Sequence, residues 1–206
     1  MDIVADLMKQ VATGENLSML AKSVGGDNNA VQSALSMGLP MIMGSMATTA
    51  STPAGLDTLT KMLAQGGTSS PLDNLGGFLG NQAAAAGGPA MATSLFGYEL
   101  SGITTAISQK TGLRPAVVNQ VITIATPIVV GYVGKMVVSQ KMDAKSLTSL
   151  LGDQSKLALA ASPDAAALAK QFLGTAVSSA VSTATVAAAV PESSGGIMGF
   201  VKKLFG

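Results

Sequence analysis

The sequence predicts an all-α protein with two pseudo-repeated helical lobes, each built on a kinked central Pro/Gly helix, and a C-terminal helical extension. Three observations predict it. Apolar residues recur at helical spacing along most of the chain, a Pro- and Gly-bearing pattern occurs twice, and no run alternates as a half-buried strand does. Of the 206 residues 48% are hydrophobic but only 3% are aromatic, so aliphatic side chains and twelve methionines must fill the core.

The first helices are predicted from apolar stripes and from the residues that flank them. One stripe begins at Ile3 and another at Leu17, and the pair Gly25-Gly26 is typical of a helix end. Asp27 or Asn28 is then expected to cap a longer, almost wholly apolar helix.

Proline and its preceding residue mark later helix starts. Thr52 before Pro53 predicts an N-cap followed by the first helical position, and we expect this helix to end at Gly66-Gly67. Residues 70–73 (Ser-Pro-Leu-Asp) predict a short helix, and residues 162–164 (Ser-Pro-Asp) predict a long one.

The chain repeats itself after 87 residues, which is its most informative feature. The shift brings together residues of the same type, and in both copies a glycine follows a proline by four positions. A proline within a helix removes one hydrogen bond and kinks the helix, whereas the glycine lets another backbone approach. The matched residues are Gly25 with Gly112, Pro40 with Pro127, and Gly44 with Gly131.

These patterns divide the chain into four parts. Residues 1–66 are the first helical repeat, and residues 67–92 are a Gly/Ala/Ser-rich connection with a short helix. Residues 93–152 are the second repeat. Residues 153–206 hold a long helix, a tether and a short amphipathic tail.

The composition excludes much of enzyme chemistry. The chain has no histidine, cysteine or tryptophan, so it lacks imidazole bases, thiol nucleophiles and the usual transition-metal ligands. The pairs Ser139–Lys141 and Ser155–Lys156 have no supporting motif. We therefore expect no catalytic, cofactor-binding or metal-binding residues.

Charge is scarce and unevenly divided. Residues 1–103 carry three lysines and seven acids, a net charge of −4, while residues 104–206 carry nine basic and four acidic residues, a net charge of +5. The chain lacks the basic patch of a nucleic-acid binder. Opposite halves can attract each other within one chain or head-to-tail between copies, and contact of the second kind generates rings or filaments.

Two uncharged stretches have the length of a membrane span, residues 115–134 and 171–190. The first contains Asn119, Gln120 and Pro127, and the second is mostly Ala, Ser and Thr, which insert weakly. A central helix buried by its neighbours is the favoured interpretation, and membrane association stays open. Acids near the amino terminus argue against a signal peptide, so a cytoplasmic location is expected.

The last residues form a candidate interaction element. A Pro/Gly/Ser tether precedes a segment whose apolar residues share one helical face, with Lys202 and Lys203 off it. Such a helix docks into a protein groove or lies on a membrane surface. The apolar residues are Ile197, Phe200, Val201, Leu204 and Phe205.

Several segments together resemble a known bacterial family, the domain of unknown function 937. They are residues 39–44, 52–56, 97–100, 108–113 and 125–131, within a region of similarity from roughly residue 15 to residue 152. The resemblance implies tandem helical modules and no catalytic residues.

We expect a non-enzymatic, self-associating structural protein that forms a homo-oligomer or filament. A charge-poor surface and a tethered apolar tail favour it, because exposed apolar patches mark interaction sites. Two alternatives stay open: a peripheral or partly inserted membrane protein, and a binder of small apolar ligands.

Overall fold

The computed structural model describes residues 2–12, 14–68, 76–78 and 87–174, and these ranges hold helices and turns but no strand. The predicted all-α fold is confirmed. Besides a short helical segment at 76–78, the described ranges form nine helices: α1 Ile3–Val11, α2 Gly14–Val24, α3 Asn28–Ala50, α4 Pro53–Thr68, α5 Gly88–Phe96, α6 Glu99–Thr111, α7 Pro115–Ser139, α8 Ala144–Ala161 and α9 Pro163–Phe172.

The predicted helix caps are present. Helix α2 ends where Gly25 adopts a left-handed conformation at φ +68°. Asp27 caps α3, its carboxylate accepting a 2.9 Å hydrogen bond from the backbone N–H of Ala30. The hydroxyl of Thr52 accepts from the N–H of Gly55, and α4 begins at Pro53. Local side-chain chemistry therefore sets these boundaries.

One predicted helix end differs by a single residue, and one predicted helix length is wrong. Helix α4 passes through Gly66 and continues to Thr68, because this glycine serves close packing rather than a helix end. Helix α9 begins at Pro163 as predicted but is short, since it ends at Phe172 and Gly174 is left-handed at φ +65°. The predicted short helix start at residues 70–73 lies outside the described residues, and so do residues 175–206 with the predicted tether and tail.

Two helix boundaries recur at the predicted 87-residue spacing. Helix α2 ends at Val24 and α6 at Thr111, and α3 begins at Asn28 and α7 at Pro115, each pair 87 residues apart. Both long helices run unbroken through their internal prolines. The shift therefore holds at the turn before each long helix, whereas the later boundaries differ: α3 ends at Ala50 and α7 at Ser139, and α4 begins at Pro53 and α8 at Ala144.

The helices of the two repeats pack across one another instead of forming two separate lobes. Helix α4 of the first repeat packs mainly on α7 of the second, and α8 of the second packs mainly on α3 of the first. Helices α3 and α7 also contact each other, so a single core runs through both repeats. The helices cut across the predicted boundaries, because α4, α5 and α8 span 66/67, 92/93 and 152/153.

The middles of the two long helices are buried on all sides. Every residue from 37 to 46 in α3 and from 124 to 131 in α7 is buried, as expected of helices that are apolar all round. Among the described helices only α7 has the length and mean hydropathy, 1.9, to cross a membrane, and 67% of that window is buried inside the protein.

Candidate interaction surfaces

Glycine allows helices of the two repeats to cross closely at two equivalent points. A Cβ atom added at Gly66 in α4 would lie 3.3 Å from the backbone nitrogen of Gly131 in α7 and 2.9 Å from Cγ1 of Val130. A Cβ added at Gly44 in α3 would lie 3.5 Å from Oγ of Ser155 in α8. The glycine four residues after each proline is thus where the other repeat crosses.

The Ser–Lys pairs do not form a nucleophile and its base. Ser155 is 2% exposed, and its hydroxyl has no hydrogen-bond partner among the described residues. Lys156 lies on another face of α8, 41% exposed and 3.9 Å from Asp153. The hydroxyl of Ser139 donates to the carbonyl of Met136. No group of three or more acidic residues in the described ranges is placed to hold a metal ion.

A cleft of about 290 Å³ lies where α1, α3, α8 and α9 meet. Pro40 has no N–H, so the carbonyl of Ser36 loses its usual helical donor there, and both residues line the cleft. Its walls are otherwise mostly apolar. The full lining is Asp2, Val4, Ala5, Met8, Ser36, Pro40, Ala158, Ala161, Ser162 and Pro163.

A shallower depression of about 480 Å³ lies beside the starts of α6 and α7. Tyr98 stands at its rim with its side chain fully exposed. Two further large apolar side chains are exposed, Val138 at the end of α7 and Leu157 on α8. The sequence did not predict that these three side chains are exposed. Whether an apolar residue is exposed depends on which helices pack beside it, and the sequence pattern does not show that.

The exposed faces of the two long helices carry no charge over their first turns. Residues 28, 29, 32 and 33 of α3 are exposed, and so are residues 115, 116, 119 and 120 of α7, which are the same positions shifted by 87. Helix α3 contains no charged residue, and the first in α7 is Lys135. These two sets, called here the uncharged faces, expose mainly Asn, Gln, Ser, Pro and Ala.

The turn between α7 and α8 holds a residue in an unusual conformation. Lys141 has φ +49°, the only positive value for a non-glycine in the part of the chain described. The N–H of Met142 donates to the carbonyl of Val137 and that of Lys141 to Val138, at 3.0 and 3.3 Å. This Schellman pattern usually has glycine at the left-handed position, as α2 and α6 do with Gly25 and Gly112.

Asp143 follows this turn and caps α8. Its carboxylate accepts a 2.8 Å hydrogen bond from the N–H of Ser146. Hydrogen bonding from Ser146 lowers the pKa of Asp143, since it stabilises the charged form. The cap is therefore strongest when the carboxylate is ionised.

Tyr132 of α7 faces Asp6 of α1 in a partly buried position. Burial raises the pKa of Tyr132, and the charge of Asp6 and a side-chain hydrogen bond with it raise this pKa further. The neutral phenol is thus the form that the fold favours.

The predicted interaction residues of the tail, Ile197, Phe200, Val201, Leu204 and Phe205, lie outside the described residues. Of the predicted structural residues, Pro40, Gly44, Pro127 and Gly131 are all buried in the middles of α3 and α7. The surface features found here, the uncharged faces and the Lys141 turn, come from other positions.

Comparison with protein families identifies a relationship. The family model described as "Bacterial protein of unknown function (DUF937)" matches residues 6–136, and the chain belongs to this family. No curated protein matches, and no solved structure does.

Proposed function

We propose that this member of the DUF937 family is a non-enzymatic structural protein that associates with itself into a homo-oligomer or filament. The observation that carries the proposal is the pair of uncharged faces on α3 and α7. Interface centres are depleted of charged residues, because a charge loses its hydration there. Asn, Gln and Ser are cheaper to desolvate and find hydrogen-bond partners across an interface.

The repetition of the face decides what kind of assembly it supports. Each chain presents the face twice, once on α3 and once on α7. A chain with two contact surfaces can join two neighbours, and successive heterologous contacts generate a ring or an open filament.

Charge insertion tests the proposal. The double variant Ser33→Lys, Gln120→Lys places a lysine at the same exposed position of both uncharged faces. Sedimentation velocity and negative-stain imaging of the full chain at micromolar concentration should show assemblies for the wild type and mostly monomers for the variant. Ala64→Lys, exposed on α4, is the matched control and should assemble like the wild type. A wild-type chain that sediments only as a monomer contradicts the proposal.

The membrane alternative depends on α7. Its hydropathy and 25-residue length support it, whereas its middle is already covered by α3 and α4. Insertion into lipid would have to strip those helices away. Membrane fractions that resist carbonate extraction would favour this alternative, and a chain that stays in solution without detergent would contradict the spanning form.

The ligand alternative depends on the cleft of about 290 Å³ between α1, α3, α8 and α9. This volume lies near the lower end of small-molecule sites. Retention of a lipid or other apolar compound by the purified protein, detected by native mass spectrometry, would favour it. Ala158→Trp would fill the cleft and should abolish such retention, while a protein that retains nothing contradicts this alternative.

A further inference from the structure

Helices α8 and α9 form an arm, residues 144–172. The arm follows α7 in the sequence but packs mainly on other helices. Helix α8 packs chiefly on α3 and on α1, and it makes few contacts with α7. Helix α9 packs on α3, α8 and α6. A four-residue turn, 140–143, is therefore almost all that joins this arm to α7.

That turn is under backbone strain when the arm packs on its own chain, which is called here the closed form. Lys141 occupies the left-handed region at φ +49°, where its Cβ crowds the following carbonyl oxygen and the right-handed helix is favoured instead. The turn reads Gln-Lys-Met-Asp and contains neither glycine nor proline. These residues are compatible with a continuous helix, so α7 and α8 can join if the turn opens.

We propose that the arm is exchanged between copies of this chain: the turn at Lys141 opens, and α8 and α9 pack on α3, α1 and α6 of a second copy. The proposal rests on the proposed function and goes beyond it, because it adds an exchanged arm to the contacts that the uncharged faces make between copies. Exchange of an identical element is a low-cost route to association.

The energetic argument is that exchange re-forms the contacts it breaks. The crossing of Ser155 at Gly44 and the 2.8 Å bond between the N–H of Ile3 and the side-chain oxygen of Gln154 are the same whether the two helices come from one chain or two. Two things change on exchange. Opening of the turn relieves the backbone strain at Lys141. The arm also packs on another chain instead of its own, and a high protein concentration offsets the cost of that intermolecular association.

A disulfide placed at the crossing reports which chain supplies the arm. The native chain has no cysteine, so the double variant Gly44→Cys, Ser155→Cys can form only the introduced bond. A Cβ at Gly44 would lie 3.5 Å from the Ser155 oxygen, so the two side chains meet at this crossing, as a disulfide requires. The assembled fraction is oxidised and run on a non-reducing gel, with each single-cysteine variant as a control.

Exchange predicts covalent dimers or a ladder from the assembled double variant, and single-chain bands from the controls. Assemblies whose cross-link stays within single chains overturn the exchange but leave the proposed function intact. If the wild type never assembles, the proposed function fails, and the exchange fails with it.

A substitution in the turn keeps the proposal testable even if the cysteine variant does not fold. Lys141→Gly removes the strain of the closed form and should lower the association constant roughly five- to thirtyfold for each turn that opens. Lys141→Ala removes the same charge but retains a Cβ, so it should associate at least as strongly as the wild type. Equal association of the glycine and alanine variants overturns the exchange.

Discussion

The backbone N–H of Ile3 donates a 2.8 Å hydrogen bond to the side-chain oxygen of Gln154, and so ties the start of α1 to the middle of α8 across 151 residues. Both residues are buried. An N–H in the first turn of a helix has no partner within that helix, and a distant side chain supplies one here. The contact belongs to the same surface on which the arm rests.

Replacing Gln154 by Ala should lower the free energy of unfolding by about 1–3 kcal/mol, because it leaves the buried N–H of Ile3 without this acceptor. Urea denaturation followed by circular dichroism measures the change. Gln109→Ala, at an exposed position on α6, is the control and should stay within about 0.5 kcal/mol of the wild type. Equal losses for both variants would show that the Ile3 contact does not matter.

Two glycine-to-alanine substitutions should have opposite effects. Gly66→Ala places a methyl group 2.9 Å from Cγ1 of Val130 and 3.3 Å from the backbone of Gly131, and such overpacking costs about 1–3 kcal/mol. Gly152→Ala in α8 meets nothing within 4 Å, so it should gain up to about 1 kcal/mol from better helix propensity. Thermal unfolding of the two variants compares them directly, and a stabilised Gly66→Ala would contradict the close crossing of α4 and α7.

Alkaline pH should weaken the fold through Tyr132. Because the folded state raises the pKa of this phenol above 10.0, its contribution to stability is complete below pH 10 and is lost as the pH rises through the folded-state pKa. Tyr132→Phe cannot ionise, so its stability should fall less steeply than that of the wild type between pH 9 and pH 11, a range set by that ordinary value. Parallel curves from urea titrations in this range would contradict the assignment.

Acidic pH should weaken the α8 cap. The folded state lowers the pKa of Asp143 below 3.8, so the contribution of this residue is present above that pH and is lost as the pH falls through the folded-state pKa. Asp143→Asn retains an accepting oxygen but does not titrate. The stability advantage of the wild type over this variant should therefore disappear on acidification, and an advantage that persists at low pH would contradict the role of the charge.

Much of the local structure could be predicted from particular residues. Gly25 and Gly112 end helices, and Asp27, Thr52 and Ser162 begin them, because each acts on backbone groups only a few residues away. The left-handed Lys141 could not be predicted, since lysine is a good helix former. Its conformation follows from where α3 holds α8. The end of α9 at Phe172 could not be predicted, because the sequence after this residue has few charges and is compatible with a longer helix.

The prolines and glycines of the long helices show the division most clearly. The sequence by itself determined that α3 and α7 are long, almost free of charge and repeated, with a small residue at Gly44 and Gly131 where a neighbour can approach, because composition and spacing are local properties. Only the tertiary structure decided that α8 approaches the first and α4 the second. An apolar stripe on a helix predicts that its residues are buried, but it does not predict which helix buries them. The two repeats resemble each other, so either one offers a similar apolar surface. The choice of partner follows from packing the whole chain around one core.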